Sequence, residues 1–338
     1  MINESITQSF NKYFNGPLFI IGISRSGTKL LRDLLNNHSK ISLTKCETKF
    51  IPSFYRHFKN WSNEKIMNDF STIYKSFLRT KFYSDMKKTG NLPSREIWFN
   101  KVETWSIGGV IKSLLKYPTN LNTKNIWGDK TPNYLIHIPI LKTIFPDAKF
   151  IHITRDVRDV CISAFKAWRR NYYYTAQCWN DYISQCRKDA DDLSDSDYLE
   201  IKYEDLIEKP EYCMSGLCAF VGVAFEKKMC RLKNPSENIG DTKGEVKIID
   251  TNTGKWKTQL NSRELKKIET ICAPILLESG YSLSHAYPKK IKRINPLLMY
   301  LYYFKELLYI FKNKIKNNNF VSAINTIIQK YRFRTTSH

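Results

Sequence analysis

Apolar and polar positions along this chain follow two patterns: short unbroken apolar runs bounded by turn residues, and longer stretches whose apolar positions fall three and four apart. Pro17-Leu18-Phe19-Ile20-Ile21 is a run of the first kind and stops at Gly22, which predicts a buried parallel strand feeding a turn. Leu30, Leu31, Leu34 and Leu35 then place one apolar face on a helix from about Thr28 to Asn37. The predicted unit is strand, glycine-containing loop, helix. Ile41-Ser42-Leu43 predicts a second strand, running into the polar Lys45-Cys46-Glu47-Thr48-Lys49, and helical periodicity extends over roughly 64–88 and 101–116.

After the turn at Pro146-Asp147, Lys149–Thr154 reads as another central strand with Arg155 at its carboxyl end. Asp156 and Asp159 fall near the start of a helix reaching about Trp168, where acids suit the positive helix terminus. Tyr198–Lys202 predicts a further strand leading into Tyr203-Glu204-Asp205-Leu206, and Pro210 opens a helix that stops near Gly222. Strands alternating with helices predict an α/β fold of three layers, a central parallel sheet flanked by helices. Ligands of such sheets bind beyond the strand carboxyl ends, so Arg25, Arg155 and their loops are expected to face one site.

Composition adds a sign to that site. The 338 residues carry 54 Lys+Arg against 32 Asp+Glu, a formal charge of +22, which favours phosphorylated, sulfated or otherwise anionic partners. With 42 % hydrophobic and 14 % aromatic residues the chain is globular rather than disordered or fibrous. Met1 to Asn15 has no basic head followed by an apolar run, so a cytoplasmic location is expected. The eight cysteines form no Cys-x-x-Cys pair and read as reduced packing residues. Beyond Pro288 the balance shifts: Lys and Arg recur from Lys289 to Arg334 against the single acid Glu306. The expected division is therefore a domain over 1–286 and a basic, aromatic helical extension over 287–338. Leu297 to Phe311 is interrupted by Lys305-Glu306 and falls short of the roughly 20 apolar residues a spanning helix needs. It reads as a packing or oligomer-contact helix, or as one lying at the inner membrane surface.

Gly22-Ile23-Ser24-Arg25-Ser26-Gly27-Thr28-Lys29 has the G-x-x-x-x-G spacing of a phosphate-cradling loop between strand and helix. Its glycines let successive N–H groups point inward, and the helix start adds partial positive charge. A nucleotide kinase or ATPase places Lys before Ser/Thr at the end of this loop, whereas here Thr28 precedes Lys29. That reading is the alternative, together with a basic nucleic-acid or membrane-binding protein on a P-loop-like scaffold.

The loop Ser24-Arg25-Ser26-Gly27-Thr28-Lys29-Leu30-Leu31 resembles the 5′-phosphosulfate loop of sulfotransferases that use 3′-phosphoadenosine 5′-phosphosulfate (PAPS). Arg155-Asp156-Val157-Arg158-Asp159-Val160-Cys161-Ile162-Ser163 resembles their 3′-phosphate motif R-D-P-R-D-x-x-x-S, with Val157 in place of proline. Arg155 at a strand end and Ser163 on the following helix can converge on one phosphate. Asp129-Lys130-Thr131-Pro132-Asn133-Tyr134, Tyr203-Glu204-Asp205-Leu206 and Gly254-Lys255-Trp256-Lys257 are similar to later family segments in the same order. The likeness spans about 17 to 285; the arginine-lysine-glycine loop of cytosolic members has no counterpart before Trp256.

The resemblance implies sulfonate transfer from PAPS to an acceptor hydroxyl, leaving adenosine 3′,5′-bisphosphate, without a metal. Ser26, Gly27 and Thr28 are implied at the 5′-phosphate, Arg155 and Ser163 at the 3′-phosphate, Tyr203 at the adenine, and Lys255, Trp256 and Lys257 closing over the nucleotide. Arg25 is implied at the bridging oxygen, with Lys29 or Lys130 on the sulfonate. Glu47 is the expected base, because Glu47-Thr48-Lys49-Phe50-Ile51-Pro52 resembles the E-T-R-x-I-P of tyrosylprotein sulfotransferases. His38, at a helix end, is a rival base or a cap. A glycan, lipid or tyrosyl peptide is the expected acceptor; nucleic acid is not an expected partner.

Overall fold

The computed structural model describes residues 14–88, 92–117 and 125–316. Its centre is a five-stranded sheet of β1 (Leu18–Ile21), β2 (Ile41–Leu43), β3 (Ile126–Lys130), β4 (Lys149–Thr154) and β5 (Tyr198–Lys202), in the spatial order β2-β3-β1-β4-β5. Every pairing is parallel, with Leu18 opposite both Gly128 and Lys149. β1 is apolar at every position because both its faces are covered. Phe19 and Ile21 enter an aromatic core with Trp127, Tyr134 and Phe150, while Leu18 and Ile20 meet Leu31, Leu34, Leu35 and Ile151 on the other side. The helix Thr28–Leu35 covers that second face and the helix Val157–Trp168 the first. The connections from β1 and β4 thus leave in opposite directions, which opens a crevice at the carboxyl ends of these two neighbouring strands.

All four strands expected from the sequence are present, and β3 is added to them. Its segment Ile-Trp-Gly-Asp-Lys is buried throughout although only two of its residues are large and apolar. A Cβ at Gly128 would come within 1.9 Å of the Leu18 carbonyl oxygen, so glycine lets the two central strands close. The helical stretch expected over 64–88 is broken into Asn63–Asn68, Phe70–Leu78 and Lys81–Lys87, with Ser62 and Thr80 capping the first and last. The stretch from 101 becomes helical only at Ile107, where the Ser106 hydroxyl accepts from the Gly109 N–H. The first helix ends at Leu35, two residues before Asn37, because the Asn36 side chain exchanges hydrogen bonds with the backbone of Leu43 in β2. Two further helices, Tyr172–Ala190 and Ser262–Glu278, pack beside Val157–Trp168.

The described part of the 287–338 extension ends in the helix Pro296–Lys316, and the rest of the extension lies outside the described residues. Glu306, nearly fully buried, accepts from Arg170 Nε at 2.7 Å and Nη2 at 2.9 Å and ties this helix to the body. No helix among the described residues is long and apolar enough to cross a membrane.

Candidate active site

The loop after β1 turns tightly, with Ser26 N–H donating to Ile23 O and Leu31 N–H to Gly27 O. Gly27 has φ +88°, and a Cβ there would lie 2.3 Å from Cδ2 of Tyr203, so both backbone and space require glycine. Arg25 also sits at positive φ, 79°, which costs a non-glycine residue about 1 kcal/mol. Its carbonyl is held by Arg155 Nη1 at 3.1 Å, so the loop after β4 clamps the loop after β1.

The Arg25 side chain reaches across the crevice. Its Nε donates to Ser163 Oγ at 3.1 Å, its Nη1 to Glu237 Oε2 at 3.1 Å and its Nη2 to Ile239 O at 3.3 Å. Lys29 Nζ approaches the same Glu237 oxygen at 3.5 Å. Arg155 Nη2 donates to Asn252 O at 2.6 Å, and its guanidinium lies 4.3 Å from the centre of the Tyr203 ring. The Tyr203 hydroxyl accepts from Asn252 Nδ2 at 2.6 Å. Tyr203 is therefore a nearly buried support under Gly27 and Arg155 that also borders the cavity.

Ser163 shares one face of its helix with Asp159, Ile162 and Lys166, at the spacing of successive turns, and all four line the cavity. Asp159 accepts the Gly254 N–H at 2.7 Å and the Trp256 N–H at 3.0 Å, which fixes the loop carrying Lys255. Lys255 and Lys166 converge on Asp241 Oδ2 at 2.6 and 2.9 Å. Trp256 stacks instead on Arg158, 3.8 Å from guanidinium to ring centre, and Arg158 is bound by Asp156 and Glu269. Neither Trp256 nor the exposed Lys257 is among the described residues that line the cavity, so of the three expected to close over a nucleotide the structure brings only Lys255 there.

Among the described residues, four buried side-chain polar atoms have no hydrogen-bond partner: Ser26 Oγ, Arg155 Nε, Ser236 Oγ and His152 Nε2. The first three belong to the loops of this site. Buried donors of that kind are costly unless something accepts from them, and anionic oxygens in the crevice fit the set. Sequence reasoning missed Lys166, Ser236, Glu237, Asp241 and Asn252. Lys166 was within reach, three residues beyond Ser163 on the same helix face; the others sit in an irregular segment with no motif.

Glu47 and Lys130 stand at the carboxyl end of β3, next to β1, and are not among the residues lining the Arg25 cavity. Lys130 pairs in register with Ile20, and Gly22 N–H donates to Pro132 O at 3.2 Å. The Glu47 carboxylate lies between Lys130 Nζ at 2.5 Å and Lys49 Nζ at 2.6 Å. Burial works to raise the Glu47 carboxyl, but Lys49 and Lys130 outweigh it and bring it down to about 2. Burial lowers Lys130 in spite of Glu47. Asp129 beside it is fully buried and accepts from the hydroxyls of Thr44, Thr48 and Thr131, so this strand-end acid anchors structure. His38 is turned to Ala224 O at 2.8 Å and to the Lys40 N–H at 2.9 Å, neither of them a group of the helix Thr28–Leu35, and it is not among the described residues that line the cavity.

Residues 17–227 match the profile of the sulfotransferase family. Over 310 residues, 83 % of this chain and 76 % of the relative, the chain is 24 % identical to protein-tyrosine sulfotransferase 1 of Danio rerio. It is 25 % identical over 283 residues, 78 % of this chain and 51 % of the relative, to the protein-tyrosine sulfotransferase of Drosophila melanogaster. Among solved structures, the sulfotransferase domain from the curacin biosynthetic pathway has the same fold, with a TM-score of 0.52 at 21 % identity over 79 % of this chain and 98 % of that chain.

Proposed function

The chain belongs to the sulfotransferase family, and from that premise we propose that it takes its sulfonate from PAPS, held by the Arg25 and Arg155 loops, with Glu47 as the base. Family membership sets aside the kinase and basic-binding alternatives. What supports the donor is the set of buried polar atoms without partners among the described residues, Ser26 Oγ, Arg155 Nε and Ser236 Oγ, beside Arg25, Lys29, Lys166 and Lys255, which meet the carboxylates of Glu237 and Asp241.

When bound, PAPS supplies the sulfonate, whose sulfur gains a bond to the acceptor oxygen and loses its bond to the phosphate oxygen. Ser26, Gly27 and Thr28 hold the 5′-phosphate; Arg155, Ser163 and Lys255 hold the 3′-phosphate; Tyr203 shores up both loops from beneath. Arg25 and Lys29 neutralise the charge left on the bridging oxygen, and Lys130 steadies the sulfonate. Glu47 takes the acceptor proton. It is ionised at neutral pH, and its basicity rises when Lys130 turns from it to the sulfonate. The acceptor is a hydroxyl, and a tyrosyl peptide is favoured because both relatives named above are protein-tyrosine sulfotransferases. Glycan and lipid hydroxyls are the comparison arms of an acceptor panel. The chain is read as one catalytic domain over 1–286 with the extension attached to it, acting in the cytoplasm.

Glu237 occupies Arg25 and Lys29 with an anion of the chain's own. A phosphate on the same cations competes with it, so Glu237→Gln is expected to tighten adenosine 3′,5′-bisphosphate binding about tenfold in calorimetry. Weaker binding by this variant contradicts the placement of the 5′-phosphate on Arg25 and Lys29.

A further inference from the structure

The helix Pro296–Lys316 is amphipathic in an unusual sense. The face that docks on the body carries Glu306, paired with Arg170, and Tyr303, stacked on Tyr174, and the outward face carries large apolar residues. Leu297, Leu301, Phe304 and Leu308 are 72, 50, 53 and 42 % exposed. Their spacing of four, three and four residues puts them in one narrow stripe on a helix. Elsewhere among the described residues large exposed apolar side chains occur singly or as the pair Ile97 and Phe99, so this concentration marks an interaction surface.

Its surroundings select the partner. Lys305 and Lys312 are exposed beside the stripe, and Lys289, Lys290 and Lys292 are exposed on the segment leading into the helix. Over 285–312 the single acid is Glu306, which is buried in its ion pair. A second copy of a chain with net charge +22 would bring the same lysines face to face. An anionic lipid surface supplies both an apolar layer for the stripe and negative headgroups for the lysines.

We propose that Pro296–Lys316 lies in the plane of an anionic membrane surface with Leu297, Leu301, Phe304 and Leu308 inserted among the acyl chains. The helix also lies close to the catalytic crevice. Arg170, which holds Glu306, has its guanidinium 5.0 Å from the Trp168 ring centre, and Arg25 approaches the same ring at 5.7 Å. Docking therefore brings the donor site to the lipid surface. This surface stands independently of the identity of the donor.

The test is co-sedimentation of the full chain with phosphatidylcholine vesicles and with vesicles containing about one-third phosphatidylglycerol. Binding to the anionic vesicles is expected at least about tenfold above the neutral ones and should weaken as salt shortens the Debye length. Leu301→Ser/Phe304→Ser is expected to reduce it about tenfold or more with an unchanged melting temperature. No binding, equal binding to both vesicles, or light scattering that shows a dimer dissociated by these substitutions overturns the proposal.

Discussion

Replacing Arg25 by alanine is expected to lower kcat/KM about a thousandfold, the scale set by removing a preorganised donor from a developing negative charge. The crevice concentrates this effect on one residue. Arg25 reaches from the loop after β1 to Ser163 on the helix that follows β4 and to Glu237 in the irregular segment, and it is 9 % exposed, so water replaces it poorly. Lysine carries the charge without the planar fork that bonds Ser163 and an anion together, so Arg25→Lys should recover only part of the loss. Steady-state kinetics with saturating acceptor checks both variants, alongside thermal melts to show that the loop still folds. A loss below about tenfold for alanine contradicts the role given to Arg25.

Glu47→Gln is expected to lower kcat by a factor of about a thousand while leaving adenosine 3′,5′-bisphosphate binding within about twofold. Glutamine keeps an oxygen for Lys130, which is buried to 1 % exposure and depends on that partner. What it removes is the ability to accept a proton. Burial favours the neutral acid, but Lys49 and Lys130 bring the carboxyl to about 2, so the wild-type group is ionised across the neutral range and gains basicity when Lys130 turns from it to the sulfonate. Single-turnover rates with and without the substitution measure the chemical step directly. Retained turnover moves the base to another residue, and lost nucleotide binding assigns Glu47 to holding Lys130 alone.

Most of the sheet was readable because its central strands are buried: Leu18–Ile21 appears as an unbroken apolar run, and Lys149–Thr154 keeps Phe150, Ile151 and Ile153 between a turn and Arg155. β3 escaped that rule. Its Gly128 serves close strand approach, its Asp129 is hydrogen-bonded by threonine hydroxyls and its Lys130 is paired with Glu47, so a buried strand reads as a polar segment. The long helix Tyr172–Ala190 went unread for a related reason: its buried positions include Thr175, Gln177 and Cys186 beside Ala176, Trp179 and Ile183. In the site, Arg25, Ser163 and Arg155 converge because their loops follow the adjacent strands β1 and β4, and local motifs capture such loops. Glu237, Asp241 and Asn252 come from an irregular segment more than 200 residues along the chain from the first loop. Only tertiary structure brings those groups to Arg25. Trp256 stands away from the cavity lining for a similar reason, since it stacks on Arg158, which Asp156 and the distant Glu269 hold in place.

Calorimetric titration of the purified chain with adenosine 3′,5′-bisphosphate and, separately, with AMP tests the central claim, that two anion cradles grip the two phosphate-bearing ends of one nucleotide. The account predicts binding of the bisphosphate at least about a hundredfold tighter than AMP, since Arg155, Ser163 and Lys255 add charge-assisted bonds that AMP cannot fill. Equal affinity for the two ligands contradicts it.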